Sequence, residues 1–275
     1  MDKYILRHIS KNKADFVQHK LVKNDIVVSL TSFPARIDNV WKTIYSLKHQ
    51  TVKARKIVLW LSSAQFKSIE SVPNSLREYQ DDYFEIRLVD GDLKSHKKYY
   101  YVMQEYPEDT VITVDDDIIY HPKTIEYLIS ASSKKQNSIV ANLTNQVIYK
   151  DGVIAPYKEW KGDNMEYSYK NLVQIGAGGV LYPPHCLDPM VLDDSIFMEL
   201  APRADDLWLN AMARKAKTKV IQSASKILFM PISDDLSGPK LNVDNVNGGG
   251  NDAQLNSIRE FLIKSIGEDL FKEEN

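Results

Sequence analysis

Short apolar runs alternate with amphipathic stretches between residues 25 and 117, and this alternation limits the chain to a few folds. The apolar runs predict four strands, namely DIVVSLT (25–31), KIVLWL (56–61), FEIRLVD (84–90) and TVITVDDD (110–117). The stretches between them predict helices, one capped by Asp38, one over about 73–81 and one ending before Pro107. The sequence therefore predicts an α/β fold with a mainly parallel central sheet flanked by helices.

The second half of the chain does not continue the regular alternation of strands and helices. Lys150, Asp151 and Gly152 predict a hairpin, and NLVQIGAGGVLYPPH (171–185) predicts a glycine-rich strand and turn. ADDLWLNAMARKAK (204–217) predicts a helix with two acids at its start, and the aperiodic residues 233–252 predict a long loop over a site. We interpret residues 25–275 as one continuous domain.

Charge and cysteine content exclude several classes of protein. The net charge of −2 and pI near 6.3 disfavour a general nucleic-acid binder, so we expect no nucleic-acid partner. One cysteine, Cys186, permits neither an intrachain disulfide nor a C-x-x-C site. No secretory h-region and no run of 18 apolar residues is present, so we expect a cytoplasmic protein. Residues 1–24 predict a basic helical segment, with peripheral contact at the inner face of the membrane as the minority interpretation.

Three adjacent acids, Asp115, Asp116 and Asp117, follow the fourth predicted strand. In extended backbone Asp115 and Asp117 point the same way and Asp116 points opposite. Ligands of parallel sheets bind at the carboxyl ends of strands, where a hard divalent cation would compensate mutually repelling carboxylates. The alternative is an acidic turn that caps the following helix.

Seven segments together resemble one bacterial family of nucleotide-sugar glycosyltransferases of the GT-A class, which has a Rossmann-like sheet. They are SLTSFPARI (29–37), KIVLWLS (56–62), SHKKY (95–99), ITVDDDIIY (112–120), GAGGVLYPP (176–184), ADDLW (204–208) and NDAQ (251–254). The resemblance implies a nucleotide-sugar-binding half over about 25–120 and an acceptor-binding half over about 121–275.

The resemblance implies which residues hold a UDP-sugar donor. Those expected near the base and ribose are Ser29, Thr31 and Arg36, with Asp90 or Asp92 at the uracil edge. Asp116 is a further candidate for donor binding. Those expected at the diphosphate are Lys97, Lys98 and Lys240. Two lysines at a helix start conflict with the helix dipole unless an anion binds there. The alternatives are that Ser29 and Thr31 satisfy loop backbone, that Arg36 is a surface charge and that the lysine pair is solvated.

A Mn²⁺ or Mg²⁺ ion bound to Asp115 and Asp117 is the cofactor that the resemblance implies. Such an ion would stabilise the charge of the departing nucleoside diphosphate. Many GT-A enzymes add a late histidine, but the last histidine here is His185, in the YPPH turn. Asn247, Asn251 or Asp252 are the candidates for the remaining ligand, since hard cations accept carbonyl and carboxylate oxygen.

Asp205 and Asp206 open the predicted helix 204–217 and are the candidate catalytic acids. An acceptor hydroxyl needs a base within hydrogen-bonding reach. In inverting GT-A enzymes an acid at an equivalent helix start is the base, which implies this role for Asp206, with Asp205 as a cap or acceptor-binding partner. Simple N-capping explains one of the two acids. Gly176, Gly178 and Gly179 predict either close approach to a ligand or a bulge.

The function that the resemblance implies is transfer of a sugar from a UDP-sugar to a glycan or lipid-linked saccharide acceptor. The setting would be bacterial surface polysaccharide or lipooligosaccharide synthesis, with metal dependence and inversion at the anomeric carbon. A metal-dependent nuclease or phosphohydrolase is an alternative, because clustered carboxylates also hold paired metals. A catalytically silent sugar-binding module is the third, under which Asp205 and Asp206 would be dispensable.

Overall fold

The computed structural model describes residues 22–135, 137–162, 171–223, 230–232 and 248–273. Two of the candidate residues, Lys240 and Asn247, lie outside the described residues, as does most of the predicted basic segment 1–24. Residues 22–24 of that segment are not helical, because they open the first strand.

The described strands and helices follow one another in chain order. The strands are β1 (Val22–Thr31), β2 (Lys53–Ser62), β3 (Phe84–Val89), β4 (Thr110–Thr113), β5 (Ile118–Ile119), β6 (Ile139–Ala141), β7 (Thr144–Gln146), β8 (Tyr149–Lys150), β9 (Val153–Ile154), β10 (Lys161–Gly162), β11 (Leu172–Gln174), β12 (Val180–Tyr182), β13 (Val220–Gln222) and β14 (Met230–Pro231). The α-helices are α1 (Val40–Lys48), α2 (Asn74–Arg77), α3 (Lys97–Glu105), α4 (Thr124–Ser132), α5 (Asp194–Leu200), α6 (Asp205–Lys215) and α7 (Gly250–Ile266).

Seven strands form the central sheet in the order β13-β6-β12-β4-β1-β2-β3. Strand β12 runs antiparallel to both of its neighbours, β4 and β6, and the other pairs are parallel. The predicted α/β class with a mainly parallel, helix-flanked sheet is confirmed. Since β1 to β4 are parallel neighbours, their carboxyl ends lie at one edge of the sheet, and the loops that follow them share a common space.

Both faces of the sheet are covered, which explains the uninterrupted apolar runs of the predicted strands. Val28 and Leu30 of β1 pack in the cluster that contains Ile44 of α1. Val27, which points the other way, packs with Val102 of α3 on the opposite face. A third cluster joins α6 and α7 around Trp208. These clusters fix α3 and α6 against the sheet, so the first turns of both helices have defined positions.

Several predicted boundaries are wrong in informative ways. Strand β4 ends at Thr113, so the three acids lie in the loop after it. The helix predicted over 73–81 is only the short α2, and Asp38 lies in a 3-10 turn and does not cap α1. The predicted loop 233–252 ends earlier, because α7 begins at Gly250. The hairpin at 150–152 is confirmed as β8 and β9. Among the described residues, no helix is long and apolar enough to cross a membrane.

Candidate active site

The loop after β4, Asp115–Asp117, is here named the acidic loop. The side chains of Asp115 and Asp117 are each 30% exposed, whereas that of Asp116 is 7% exposed. Asp116 is therefore the most shielded of the three acids. Asp116 and Asp117 both contact Arg36 Nη1, so the alternation expected of extended backbone does not describe this loop. Asp116 accepts hydrogen bonds from Ser32 Oγ at 2.5 Å and Arg36 Nη1 at 2.9 Å, and its carbonyl accepts one from Thr43 Oγ1. Asp116 thus fixes the acidic loop to the loop after β1.

Arg36 contacts the shielded acid Asp116 and the more exposed acid Asp117 of the acidic loop. Its Nη1 lies 2.9 Å from Asp116 Oδ1 and 2.8 Å from Asp117 Oδ2, and its guanidinium lies over the Phe33 ring. Burial lowers the pKa of Arg36, but the charges of Asp116 and Asp117 outweigh that effect and raise it above its usual value. The interpretation of Arg36 as a free surface charge is therefore wrong.

Lys98, in the first turn of α3, is buried between the acidic loop and α6. Its Nζ lies 2.9 Å from Asp115 Oδ1 and 2.8 Å from Asp205 Oδ2. Burial lowers the pKa of Lys98, but the charges of Asp115, Asp205 and Asp206 outweigh that effect and hold it well above its usual value. The alternative of a solvated lysine pair is wrong, because Lys97 is buried as well.

Asp206 differs from its neighbour Asp205 although both open α6. The side chain of neither acid caps the helix, so the capping interpretation is wrong. Asp206 Oδ2 accepts a hydrogen bond from the Gly176 N–H at 3.1 Å. Its Oδ1 is buried and has no hydrogen-bond partner among the described residues. A buried acceptor atom without a partner is rare in folded proteins and can mark a catalytic role or a partner supplied by a bound group.

The pKa values of the two acids of α6 are shifted in opposite directions. Burial and the charge of Asp205 raise the pKa of Asp206 to about 7. Burial also acts on Asp205, but the charge of Lys98 prevails and lowers the pKa of Asp205. A neighbouring pair with divergent proton affinities is a common basis for distinct acid and base roles. Asp206 can therefore accept a proton near neutral pH.

Gly176 marks the point where three chain segments meet. A Cβ atom placed on this glycine would lie 2.8 Å from Lys98 Nζ, 3.2 Å from Asp115 Oδ1 and 3.3 Å from Asp206 Oδ1. Of the two interpretations of the glycine-rich segment, close approach applies here, and the groups approached are side chains of this chain. The acidic loop, α3 and α6 thus converge on one backbone position.

The chemistry of these donors fits a hard divalent cation. Five carboxyl groups, of Asp115, Asp116, Asp117, Asp205 and Asp206, meet two cations, Arg36 and Lys98. Burial raises the pKa of Asp117 to about 6, and the charge of Asp115 adds to this effect. Within the described ranges, however, no group of three or more His, Cys, Asp or Glu side chains is arranged to hold a metal ion. Asp115 and Asp117 carry carboxylate oxygens of the kind that such an ion accepts, and their assignment as its ligands stays a prediction.

The remaining candidates for the nucleoside and diphosphate are placed around this centre. Ser29 is fully buried, and its hydroxyl donates to the Lys98 carbonyl and accepts from Trp60 Nε1, so it stabilises the strand rather than contacting a nucleoside. Thr31 Oγ1 donates to the Trp60 carbonyl at 2.8 Å, as the backbone-satisfying alternative expects. Asp90 accepts from Ser63 Oγ, and Asp92 pairs with Lys97.

The candidate third metal ligands lie at the start of α7. Asn251 is buried. Asp252 Oδ1 accepts a hydrogen bond from the Tyr157 backbone N–H at 2.8 Å, so it fixes the 3-10 turn at residues 157–159. Its assignment as a metal ligand stays untested, and its observed contact is structural.

Sequence reasoning missed three residues that shape the centre. Ser32 holds Asp116, and Tyr120 Oη accepts a hydrogen bond from the Asp115 N–H at 2.8 Å. The pKa of Tyr157 is raised by burial and then by Asp206, which places its side chain near that acid. Ser32 and Tyr120 lie inside segments that carry the family resemblance, which is the signal that could have found them.

No protein-family model matches the chain, and a search of curated proteins finds no match. Among solved structures, the chain is similar to 4-diphosphocytidyl-2C-methyl-D-erythritol synthase from Anaerococcus prevotii, at 12% identity and a TM-score of 0.45 over 87% of this chain and 99% of that one. It is also similar to UTP-bound UGPase from Acinetobacter baumannii, at 9% identity and a TM-score of 0.44 over 88% and 94%. The inositol-1-phosphate CTP transferase from T. maritima gives 12% identity and a TM-score of 0.44 over 86% and 97%. Likeness at this distance carries no argument about activity.

Proposed function

We propose that the protein is a metal-dependent, inverting glycosyltransferase. Its donor would be a UDP-sugar, and its acceptor a glycan or lipid-linked saccharide of bacterial surface polysaccharide or lipooligosaccharide synthesis. Such a reaction would take place in the cytoplasm, where nucleotide sugars are made, with membrane contact only if the acceptor is a lipid. The observation that carries the proposal is the convergence of Lys98, Asp115 and Asp206 on Gly176.

The convergence supports glycosyl transfer because it supplies both halves of a displacement. At the carboxyl edge of the sheet, the acidic loop offers Asp115 and Asp117 as the residues that would hold a divalent cation against the diphosphate. When bound there, such an ion would neutralise charge on the departing nucleoside diphosphate. Asp206 lies near the same Gly176 position as Asp115, and its Oδ1 has no hydrogen-bond partner among the described residues.

Asp206 would act on the acceptor. Its Oδ2 is held by the Gly176 N–H, which orients the carboxyl group and leaves Oδ1 to accept a proton. The acceptor hydroxyl oxygen would form a bond to the anomeric carbon, the bond from that carbon to the diphosphate would break, and the hydroxyl proton would pass to Asp206. A pKa of about 7 suits a base at neutral pH. Attack opposite the leaving group inverts the anomeric carbon.

Release of UDP from a panel of UDP-sugars, measured with Mn²⁺ and with EDTA, tests the donor class without knowledge of the acceptor. We expect slow Mn²⁺-dependent release from at least one UDP-sugar, and loss of this release in Asp115→Asn. Pyrophosphate release from UTP and a sugar phosphate, with no release of UDP from any UDP-sugar, would contradict the proposal and favour nucleotidyl transfer. Binding of a sugar without any turnover would favour the silent module.

A further inference from the structure

Arg36 and Lys98 occupy equivalent positions in the charge pattern of the site. Each cation contacts one shielded acid, Asp116 for Arg36 and Asp205 for Lys98, whose side chains are 7% and 10% exposed. Each also contacts one open acid, Asp117 for Arg36 and Asp115 for Lys98, both 30% exposed. The open acids are the two carboxylates proposed to hold the divalent cation.

We infer that Arg36 and Lys98 are built-in counter-ions that compete with the divalent cation for Asp117 and Asp115 and transfer to the donor diphosphate when it binds. The inference rests on the proposed function and concerns how the same site is loaded. It predicts that the metal alone binds weakly, that UDP alone binds weakly, and that each strengthens the binding of the other.

The shielded contacts explain why the two cations would stay in place during this exchange. If the open acids turned to a divalent cation, Arg36 would keep its contact with Asp116 and Lys98 its contact with Asp205. Each cation would then have lost one of its two anionic partners inside a partly buried site. A diphosphate offers oxygens for charge-assisted hydrogen bonds to both cations. The predicted diphosphate role of Lys98 is thereby reconciled with its observed ion pairs.

Mn²⁺ alone, titrated into metal-free protein by calorimetry or electron paramagnetic resonance, tests the competition directly. Arg36→Gln frees Asp117 and keeps a hydrogen-bonding side chain beside Asp116. The double variant Lys98→Met with Asp205→Asn frees Asp115 and removes the buried acid that the lysine compensates, so it does not leave Asp205 as an unpaired buried charge. Lys215→Met is the control, because it removes an ion pair with Asp188 at the other end of α6.

We expect both test variants to bind Mn²⁺ alone at least about tenfold more tightly than the parent, because a nearby positive charge is removed. The control should equal the parent. Under saturating Mn²⁺, both test variants should bind UDP about tenfold or more weakly, because diphosphate contacts are lost. A general loss of structure would weaken the binding of both Mn²⁺ and UDP. Tighter Mn²⁺ binding together with weaker UDP binding would therefore have another cause.

Mn²⁺ affinity that is unchanged or lower in both test variants would overturn the inference. UDP affinity that is unchanged in both would overturn the transfer to the diphosphate. If the parent does not bind UDP with any divalent cation, the proposed donor class fails, but the Mn²⁺ titrations without nucleotide still decide whether the two cations compete with metal.

Discussion

The acidic loop and the first turn of α6 both contain adjacent carboxylates, but their charges are compensated differently. In the acidic loop every acid has a cation: Arg36 serves Asp116 and Asp117, and Lys98 serves Asp115. In α6 Asp205 forms an ion pair with Lys98, whereas Asp206 accepts a backbone N–H on one oxygen and has no hydrogen-bond partner among the described residues on the other. Paired acids are suited to exchange one cation for another, and an unpaired acid is suited to accept a proton.

Among the variants that test this difference, we expect Asp206→Asn to lose the most transfer activity. The amide keeps the size but removes the proton acceptor, so the transfer rate should fall by about 10²- to 10⁴-fold with little change in donor affinity. Asp205→Asn is the matched variant, and we expect a smaller rate defect for it. Initial rates with a natural acceptor measure both. If Asp206→Asn transferred sugar at nearly the parental rate, Asp205 would be the better candidate for the base.

Removing the open acids of the loop should act on donor binding instead. Asp117→Ala and, to a lesser extent, Asp115→Ala should weaken UDP in the presence of Mn²⁺ by about 1.5 to 3 kcal/mol, the scale of hydrogen bonds to charged groups. The fold should persist, because Arg36 keeps Asp116 and Lys98 keeps Asp205 as a partner when the exposed acid is removed. Calorimetric titration in Mn²⁺ measures the loss. If both variants bound UDP as tightly as the parent does, the nucleotide would bind at another site.

Gly176→Ala tests whether the two acidic regions depend on one backbone position. The added methyl group would lie 2.8 Å from Lys98 Nζ and 3.3 Å from Asp206 Oδ1, so both side chains must shift by a few tenths of an ångström or more. We expect about tenfold slower transfer, since small displacements of reacting groups are costly. Steady-state kinetics and a thermal melt should separate this rate loss from a small change in stability. A rate equal to that of the parent would show that the convergence is incidental.

The dependence of stability on pH distinguishes the two acids of α6. The raised pKa of Asp206 means that the folded protein binds its proton more tightly, so this group's contribution to stability falls as pH rises from about 4 to 7. The lowered pKa of Asp205 has the opposite sign, and its contribution is lost as pH falls. In metal-free buffer at pH 8, Asp206→Asn should raise the free energy of unfolding by about 1 to 3 kcal/mol.

The control for this prediction is the same measurement at lower pH. Urea unfolding at pH 5 should show a smaller difference between Asp206→Asn and the parent, because Asp206 is protonated in the folded parent there. Asp205→Asn should destabilise the protein at pH 8. Equal effects of the two variants at both pH values would contradict the assigned environments.

The sequence predicts the sheet well because a parallel strand buried on both faces leaves a continuous apolar run, as in KIVLWL. It does not predict the orientation of Asp116, because the three acids lie in a loop after β4, where the alternation of an extended chain does not apply. It does not predict the partners of Lys98. Those partners come from the acidic loop and α6, and which charge meets which depends on packing of distant segments. The length of α2 was overestimated, because its end depends on tertiary contacts rather than on the periodicity of the segment.

A double-mutant cycle between Asp115 and Asp206 tests whether the acidic loop and α6 form one catalytic centre. Mn²⁺-dependent transfer rates are measured for the parent, Asp115→Asn, Asp206→Asn and the double variant. If the acidic loop and α6 form one catalytic centre, the double variant should lose little more than the worse single variant, because residues that act as a unit are non-additive. A loss in the double variant equal to the product of the two single losses would show that the acids act independently and would contradict the account.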